Sequence, residues 1–183
     1  FVLALAGGAV LGVALGWLFN LVIDPANDKI VLGAIGIGKM MYGSHIPHFV
    51  RMSEVKVVAV CDVDAKHRKQ AAAKIAQMTG RDASAIKTYG DFRDVLARDD
   101  IDAVLITTGD RWHTLASILA AKAGKDIYCE KPCTKNIEQS LILADTMRRT
   151  GRVFQAGTQR RNIPHFAFAC ELARTGKLGP MKR

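Results

Sequence analysis

From Lys29 onward, short apolar runs alternate with amphipathic stretches that are long enough to form helices. This alternation is typical of βαβ units, in which a helix connects each strand of a parallel sheet to the next strand. The runs are nearly all apolar, as expected where helices cover both faces of the sheet. The predicted strands are residues 30–35, 55–61, 87–89, 103–107, 126–129 and 152–156. The sequence therefore predicts an α/β fold with a doubly wound parallel sheet.

Residues that begin and end helices support this order of elements. Asp64 and Asp91 each precede an amphipathic stretch, where an aspartate can accept hydrogen bonds from first-turn amides. Gly80, Gly124 and Gly151 follow such stretches and suit the left-handed conformation after a helix. In a doubly wound sheet the ligand crevice lies beyond the carboxyl ends of the strands. We therefore expect the functional residues in the loops that follow the predicted strands.

The loop after the first predicted strand contains two closely spaced glycines. Gly36 can form the tight turn, and Gly38 lets the backbone approach a pyrophosphate bound by amides of the following helix. The third glycine of a G-x-G-x-x-G fingerprint would fall at position 41, where the chain has Met41. Ser44 is predicted to cap the next helix, with Pro47 in its first turn. By itself the glycine pair fits a structural turn as well as a dinucleotide site.

Asp62 lies at the end of the second predicted strand. An acid about 20 residues beyond a glycine loop is placed to bind the adenosine ribose hydroxyls. A carboxylate at that point repels a 2′-phosphate, which favours NAD over NADP. The alternative is a turn or cap residue, because Asp62 also precedes a helix. The strand, turn and helix around it favour the cofactor interpretation.

The loops after the fourth and fifth predicted strands contain a histidine and a lysine. His113 is suited to hydrogen-bond a ribose or a substrate, or to begin a helix beside Trp112. Lys131 lies between Glu130 and Pro132, where its ammonium group can reach a substrate hydroxyl or the nicotinamide region. A surface lysine at the end of a strand is the alternative. Residue chemistry alone leaves both roles open.

Six short motifs follow one another along the chain: Gly36-Ile37-Gly38, Cys61-Asp62, Thr108-Gly109-Asp110-Arg111-Trp112-His113, Ala123-Gly124-Lys125-Asp126, Glu130-Lys131-Pro132 and Gly157-Thr158-Gln159-Arg160-Arg161. In this order they resemble the glucose–fructose oxidoreductase/inositol dehydrogenase (Gfo/Idh/MocA) family. The resemblance covers nearly everything from Asn27 onward. It implies a Rossmann-type domain that binds NAD, with NADP less favoured.

The resemblance also implies roles for individual residues. The implied cofactor-binding residues are Gly36, Ile37, Gly38, Asp62, Thr107, Thr108, His113, Glu130 and Lys131. Lys131 is the predicted catalytic residue, which polarises the reacting hydroxyl or assists proton transfer. The chain departs from the family pattern at Met41, at Gly109 and at Arg111. These departures concern loop conformation more than the choice of cofactor.

The implied function is an NAD(P)-dependent oxidoreductase that transfers a hydride between nicotinamide and a hydroxyl-bearing carbon of a sugar or cyclitol. One alternative is a glycoside hydrolase that uses NAD for transient oxidation, and another is a non-catalytic nucleotide-binding module. The family has a second domain that contacts substrate, which we expect to begin after about residue 158 and to be missing here. This fragment alone is then expected to be inactive, and the full-length protein to form a homo-oligomer.

Residues 1–23 carry no charge. At about 1.5 Å per residue, a helix of this length can cross a hydrocarbon core roughly 30 Å thick. We predict an apolar N-terminal helix that is either a membrane anchor or an export signal, then a linker at residues 24–29 and the dinucleotide-binding domain at residues 30–183. The expected location is membrane-anchored or periplasmic, and the cytoplasmic side stays open as an alternative.

Charge and cysteine content argue against two other classes of site. The net charge is +9, but the basic residues lie beside helix ends and do not alternate with aromatic residues, so nucleic-acid binding is not expected. The four cysteines form no C-x-x-C pair and have no histidine set suited to zinc, so no metal site is predicted. Cys61 and Cys129 fall in apolar strands and are predicted to be buried thiols.

Overall fold

The computed structural model describes residues 29–179. The predicted N-terminal helix at residues 1–23 lies outside this range. No helix within the described range is both long and apolar enough to cross a membrane. The described residues belong to two compact units, which divide between Gly157 and Thr158.

The larger unit is built on six parallel strands in the order β3-β2-β1-β4-β5-β6. The strands are β1 (Ile30–Ile35), β2 (Val55–Cys61), β3 (Lys87–Tyr89), β4 (Ala103–Ile106), β5 (Asp126–Glu130) and β6 (Phe154–Gly157). The chain moves outward from β1 in one direction to β3 and then in the other direction from β4 to β6. This order confirms the predicted doubly wound sheet and places its switch point between β1 and β4.

Helices connect the strands as predicted. They are α1 (Ile46–Phe49), α2 (Ala65–Thr79), α3 (Phe92–Leu96), α4 (Asp110–Lys122) and α5 (Ile137–Thr150), with a short 3-10 helix at Ala83–Ala85. Asp64 and Asp91 each accept a hydrogen bond from the backbone amide two residues later, which confirms both predicted caps. Gly80 and Gly151 follow α2 and α5 in the left-handed conformation, also as predicted.

The core lies between the sheet and these helices. Ala116 and Ala120 of α4 are fully buried in one cluster with Ile106 and Ile127 of the neighbouring strands. Their small side chains let α4 approach the sheet closely. A Cβ atom at Gly33 would lie 2.6 Å from Val95 of α3, so close packing also requires the glycine in β1. This packing fixes the starts of α3 and α4 beside the carboxyl ends of the strands.

The helix after the first loop begins earlier than predicted. Helical backbone starts at Lys39, directly after Gly38, and includes a π-helical turn at Met41–His45 before α1. Ser44 lies inside this turn, so its prediction as the N-cap is wrong. Met41, at the position of the missing third glycine, is fully buried. The helix therefore packs on the sheet through a large apolar side chain.

A lysine compensates for the proline in this helix. Pro47 has no N–H to donate to a carbonyl of the preceding turn. The Tyr42 carbonyl, five residues earlier and at the hydrogen-bond spacing of a π-helix, accepts from Nζ of Lys74 on α2 at 2.7 Å. The same ammonium group lies 4.1 Å from the centroid of the Tyr42 ring. The Lys74 ammonium group thus takes the place of the N–H that Pro47 lacks.

The smaller unit contributes residues 158–179 to the described range. It contains a 3-10 helix at Gln159–Asn162 and α6 (Pro164–Arg174), with Pro164 in the first turn. An ion pair between Glu171 and Arg174, 2.6 Å long, lies on the exposed surface of α6. This helix was not predicted from the sequence.

Candidate dinucleotide-binding site

The two glycines of the first loop differ in what their surroundings allow. Gly36 has a φ of +84°, and a Cβ atom there would lie 2.6 Å from the backbone nitrogen of Thr108. Only glycine fits that position. Gly38 has no such constraint, because a Cβ atom there would meet no atom of residues 29–179 within 4 Å. The open space beside Gly38, at the start of a helix, suits the close approach of a pyrophosphate.

Asp62 holds the glycine loop in place. Its Oδ2 accepts a hydrogen bond from the Ile37 amide at 2.6 Å, and its Oδ1 accepts from the Asp64 amide at 2.8 Å. Nδ1 of His67 lies 3.6 Å from the same Oδ1. The side chain is 13% exposed, and each carboxylate oxygen has further lone-pair capacity. The structure therefore shows the turn role of Asp62, while its contact with a ribose stays a prediction.

A cavity of about 440 Å³ opens beside Asp62 and Gly36. The rings of Phe92 and Trp112 lie on another wall, with their centroids 6.5 Å apart in an edge-to-face arrangement. Trp112 is 46% exposed. The lining is mostly apolar, and its charged residues are Asp62, Asp91, Arg93 and Arg111. Mostly apolar walls with a few polar groups are typical of a site for a small ligand such as an aromatic base and its ribose.

A larger groove of about 740 Å³ lies between α2 and β3. Its polar lining includes Arg68, Lys69 and Lys87. No residue from the loops after β1, β4 or β5 lines this groove. We therefore assign the site to the smaller cavity, which lies at the carboxyl ends of the strands.

The loop after β4 is tied to the glycine loop by Thr107. Its hydroxyl donates to the Gly36 carbonyl at 2.6 Å, and its amide donates to the Ile35 carbonyl at 2.9 Å. Thr108, which is half-buried, lines the cavity. Thr108 is thus placed at the predicted site, and Thr107 supports the loop beside it.

His113 joins the loop after β4 to the loop after β5. Its Nδ1 lies 2.7 Å from the Pro132 carbonyl oxygen and its Nε2 lies 2.9 Å from the Thr108 carbonyl oxygen. Both partners are acceptors, so each ring nitrogen that carries a proton donates to the carbonyl it faces. The residue is 2% exposed and does not line the cavity. The structure gives His113 a supporting position, and its predicted contact with the cofactor stays a prediction.

The Glu130-Lys131-Pro132 segment follows β5. Lys131 is exposed, and its backbone amide donates to Oε2 of Glu130 at 3.1 Å. Oε1 of Glu130 lies 2.9 Å from Nε2 of His45, and both side chains are buried. Sequence reasoning missed His45, because no local pattern links it to a residue 85 positions away. The one local signal in the sequence was the position of this histidine in the helix that follows the glycine loop.

The thiols near the strands differ in the direction in which their pKa is shifted. Burial raises the pKa of Cys61 to about 12, and the charge of Asp62 adds to this effect. The hydrogen bond to Cys133, together with burial, raises the pKa of Cys129 far above its usual range. The same hydrogen bond lowers the pKa of Cys133, which is half-buried. The prediction of buried thiols at Cys61 and Cys129 is confirmed.

A family model and several curated proteins are similar to this chain in sequence. The model of an oxidoreductase family with an NAD-binding Rossmann fold matches residues 30–158. A glycosyl hydrolase family 109 protein 2 from Shewanella sp. strain ANA-3 is 36% identical over 132 residues, which is 71% of this chain and 28% of that protein. A glycosyl hydrolase family 109 protein from Shewanella pealeana is 31% identical over 136 residues, covering 70% and 28%. The chain thus spans 28% of the length of these curated relatives.

Among solved structures, myo-inositol 2-dehydrogenase from Lactobacillus plantarum has a TM-score of 0.70 at 25% identity, covering 84% of this chain and 43% of that chain. Scyllo-inositol dehydrogenase from Lactobacillus casei with bound NAD(H) and scyllo-inositol has a TM-score of 0.68 at 25% identity, covering 82% and 42%. An NAD-binding protein from Listeria innocua has a TM-score of 0.60 at 32% identity, covering 70% and 34%.

Proposed function

Because the chain belongs to the Gfo/Idh/MocA oxidoreductase family, we propose that it serves an NAD-dependent enzyme that oxidises or reduces a hydroxyl-bearing carbon of a sugar or cyclitol. Residues 30–158 are the NAD-binding Rossmann domain of that family. The observation that carries the proposal is the open space at Gly38, two residues after Gly36, which lines a cavity together with Asp62. The scyllo-inositol dehydrogenase, a structural relative that binds NAD(H) and a cyclitol, supports the substrate class.

The proposal assigns the binding roles as follows. Amides at the start of the helix after Gly38 hold the pyrophosphate. Asp62 accepts from the adenosine ribose hydroxyls while it keeps the Ile37 amide in place. The apolar wall with Phe92 and Trp112 receives the adenine ring. A 2′-phosphate would meet the Asp62 carboxylate, so NAD is preferred over NADP.

Lys131 is the proposed catalytic residue. Bound NAD supplies the carbon that accepts or donates the hydride. The exposed ammonium group of Lys131, at the end of β5, polarises the substrate oxygen and assists the transfer of its proton. His113 and Glu130 hold the backbone on both sides of that lysine.

A second candidate function is hydrolysis of a glycosidic bond through transient oxidation by NAD. It is favoured by the 36% identity to a glycosyl hydrolase family 109 protein. In this case the cofactor is regenerated within each turnover. An NAD that stays bound through many turnovers, without net formation of NADH, would separate the hydrolase from the dehydrogenase.

Calorimetric titration of the chain with NAD and with NADP tests the proposal. We expect tighter binding of NAD, and a loss of at least about tenfold in NAD affinity in Asp62→Ala, because the ribose anchor and the Ile37 contact are both removed. Asp64→Ala is the matched control, since Asp64 is an exposed carboxylate that caps α2. A folded chain that binds neither dinucleotide would overturn the proposal.

A further inference from the structure

A buried histidine and glutamate connect the helix after the glycine loop to the segment that carries Lys131. We propose that His45 is a positioning residue, which acts through Glu130 to fix the backbone of Lys131 and so shapes the nicotinamide end of the site. This inference rests on the proposed function. It concerns a residue that touches neither the predicted pyrophosphate loop nor Lys131 itself.

Hydrogen bonds connect His45 to Glu130 and Glu130 to Lys131. Nε2 of His45 lies 2.9 Å from Oε1 of Glu130, and Oε2 of the same carboxylate accepts from the Lys131 amide at 3.1 Å. The side chains of His45 and Glu130 are only 1% and 7% exposed. Hydrogen bonds to a charged group that is shielded from water are among the stronger ones in proteins. Movement of His45 is therefore transmitted to the backbone at Lys131.

The π-helical turn places the His45 ring in the core. The Ile46 amide donates to the Met41 carbonyl, which is the wide hydrogen bond of a π-helix. The ring centroid of His45 lies 5.5 Å from that of Tyr128 on β5, in an edge-to-face arrangement. It lies 6.3 Å from the ring of Phe49. Packing against these two rings holds the imidazole in the orientation that reaches Glu130.

The bonding of the ring also indicates its tautomer. Nδ1 of His45 is buried and has no hydrogen-bond partner among the described residues 29–179. An unpaired lone pair at Nδ1 costs less than an unpaired, charged N–H in the same place. A proton on Nε2 lets His45 donate to the Glu130 carboxylate and leaves the Nδ1 lone pair as the unpartnered atom.

Lys131 consequently lies between two fixed neighbours. On one side, Glu130 is held by His45 and bonds the Lys131 amide. On the other side, the Pro132 carbonyl is held by His113. Loss of the His45 contact removes one of these anchors and leaves the glycine loop, Asp62 and the cavity intact. The expected defect is therefore selective for ligands that extend to the nicotinamide end.

The experiment compares two ligands on the same variants by calorimetry. NAD carries the nicotinamide riboside, whereas ADP has the adenosine and both phosphates without it. His45→Phe keeps a ring in the core and removes the donor, and we expect NAD binding to weaken about tenfold while ADP binding changes less than about twofold. His45→Gln, whose amide nitrogen can take the place of Nε2, is expected to restore NAD binding.

His48→Ala is the matched control, because this neighbouring histidine also packs against Phe49 and its Nε2 has no hydrogen-bond partner among residues 29–179. If His45→Phe does not fold, His45→Asn against His45→Gln gives the same test, since the shorter amide cannot reach Glu130. Equal weakening of NAD and ADP, or no weakening of either, would overturn the positioning role. A folded wild-type chain that binds neither ligand would instead overturn the proposed function on which it rests.

Discussion

The two ends of the candidate site are built in different ways. The glycine-loop side, meaning Gly36, Gly38 and Asp62, is set by local backbone conformation and by a carboxylate at the cavity edge. The E-K-P side, meaning residues 130–132, is held from behind by His45 and His113, two buried histidines distant in sequence. On the first side, Gly36 and Asp62 line the cavity directly. The second fixes the backbone that carries an exposed lysine, so its geometry depends on two buried histidines.

The largest effect is expected from a substitution within the glycine-loop side itself. In Gly36→Ala, a left-handed backbone costs about 1–2 kcal/mol and the clash with Thr108 adds to it. We expect the free energy of unfolding in urea to fall by about 4 kcal/mol and NAD binding to be lost. Gly124→Ala also has a positive φ but open space around it, so it should show only the backbone cost. Equal losses in the two variants would contradict the steric argument.

The next effect tests the E-K-P side. His113→Leu fills a similar volume but removes the two ring nitrogens that face the Pro132 and Thr108 carbonyls. We expect the free energy of unfolding to fall by about 2 kcal/mol. His67→Leu is the control, because His67 is 46% exposed and should change stability by less than about 0.5 kcal/mol. A stable His113→Leu chain would mean that this side does not depend on its buried histidine.

Gly38→Ala separates binding from stability on the glycine-loop side. The new methyl group meets no protein atom within 4 Å, so the midpoint of urea unfolding should hardly move. The same methyl group occupies the space proposed for the pyrophosphate, so NAD and ADP should both bind about tenfold more weakly. Gly43→Ala, also free of contacts, is expected to bind both ligands normally. Unchanged binding of NAD and ADP in Gly38→Ala would contradict the proposed position of the pyrophosphate beside Gly38.

The smallest effect reports on the E-K-P side without a mutation. The lowered pKa of Cys133 keeps more of it as thiolate, so alkylation by iodoacetamide should persist to lower pH than for an ordinary thiol. Because Cys133 lies two residues after Lys131, we expect NAD to slow its alkylation about threefold and ADP to leave it unchanged. Exposed Cys170 is the internal control, read by mass spectrometry of the peptides. Protection by ADP as well would contradict the assignment of the two ends.

The difference between the two sides also explains which features could be predicted from the sequence. The strands, the aspartate caps and the conformation of Gly36 depend on local patterns, and the structure agrees with them closely. The contacts of His45 and His113 depend on how distant segments meet, which no local pattern contains. Ser44 was wrong as a cap because helical backbone already begins at Lys39 and continues through a π-helical turn ahead of Pro47. The fold was therefore more predictable than the inner support of the site.

The π-helical turn has a consequence for how this segment tolerates change in length. One extra residue is accommodated in the wide turn at Met41–His45, so every later residue is rotated by about 100° relative to a plain α-helix. That rotation determines which side chain faces the sheet at position 45. A deletion of one residue before His45 would restore regular α-helical spacing, and the residues from position 45 onward would keep nearly the orientation that they have now. The turn therefore lets this segment lose one residue without removing the contact between His45 and Glu130.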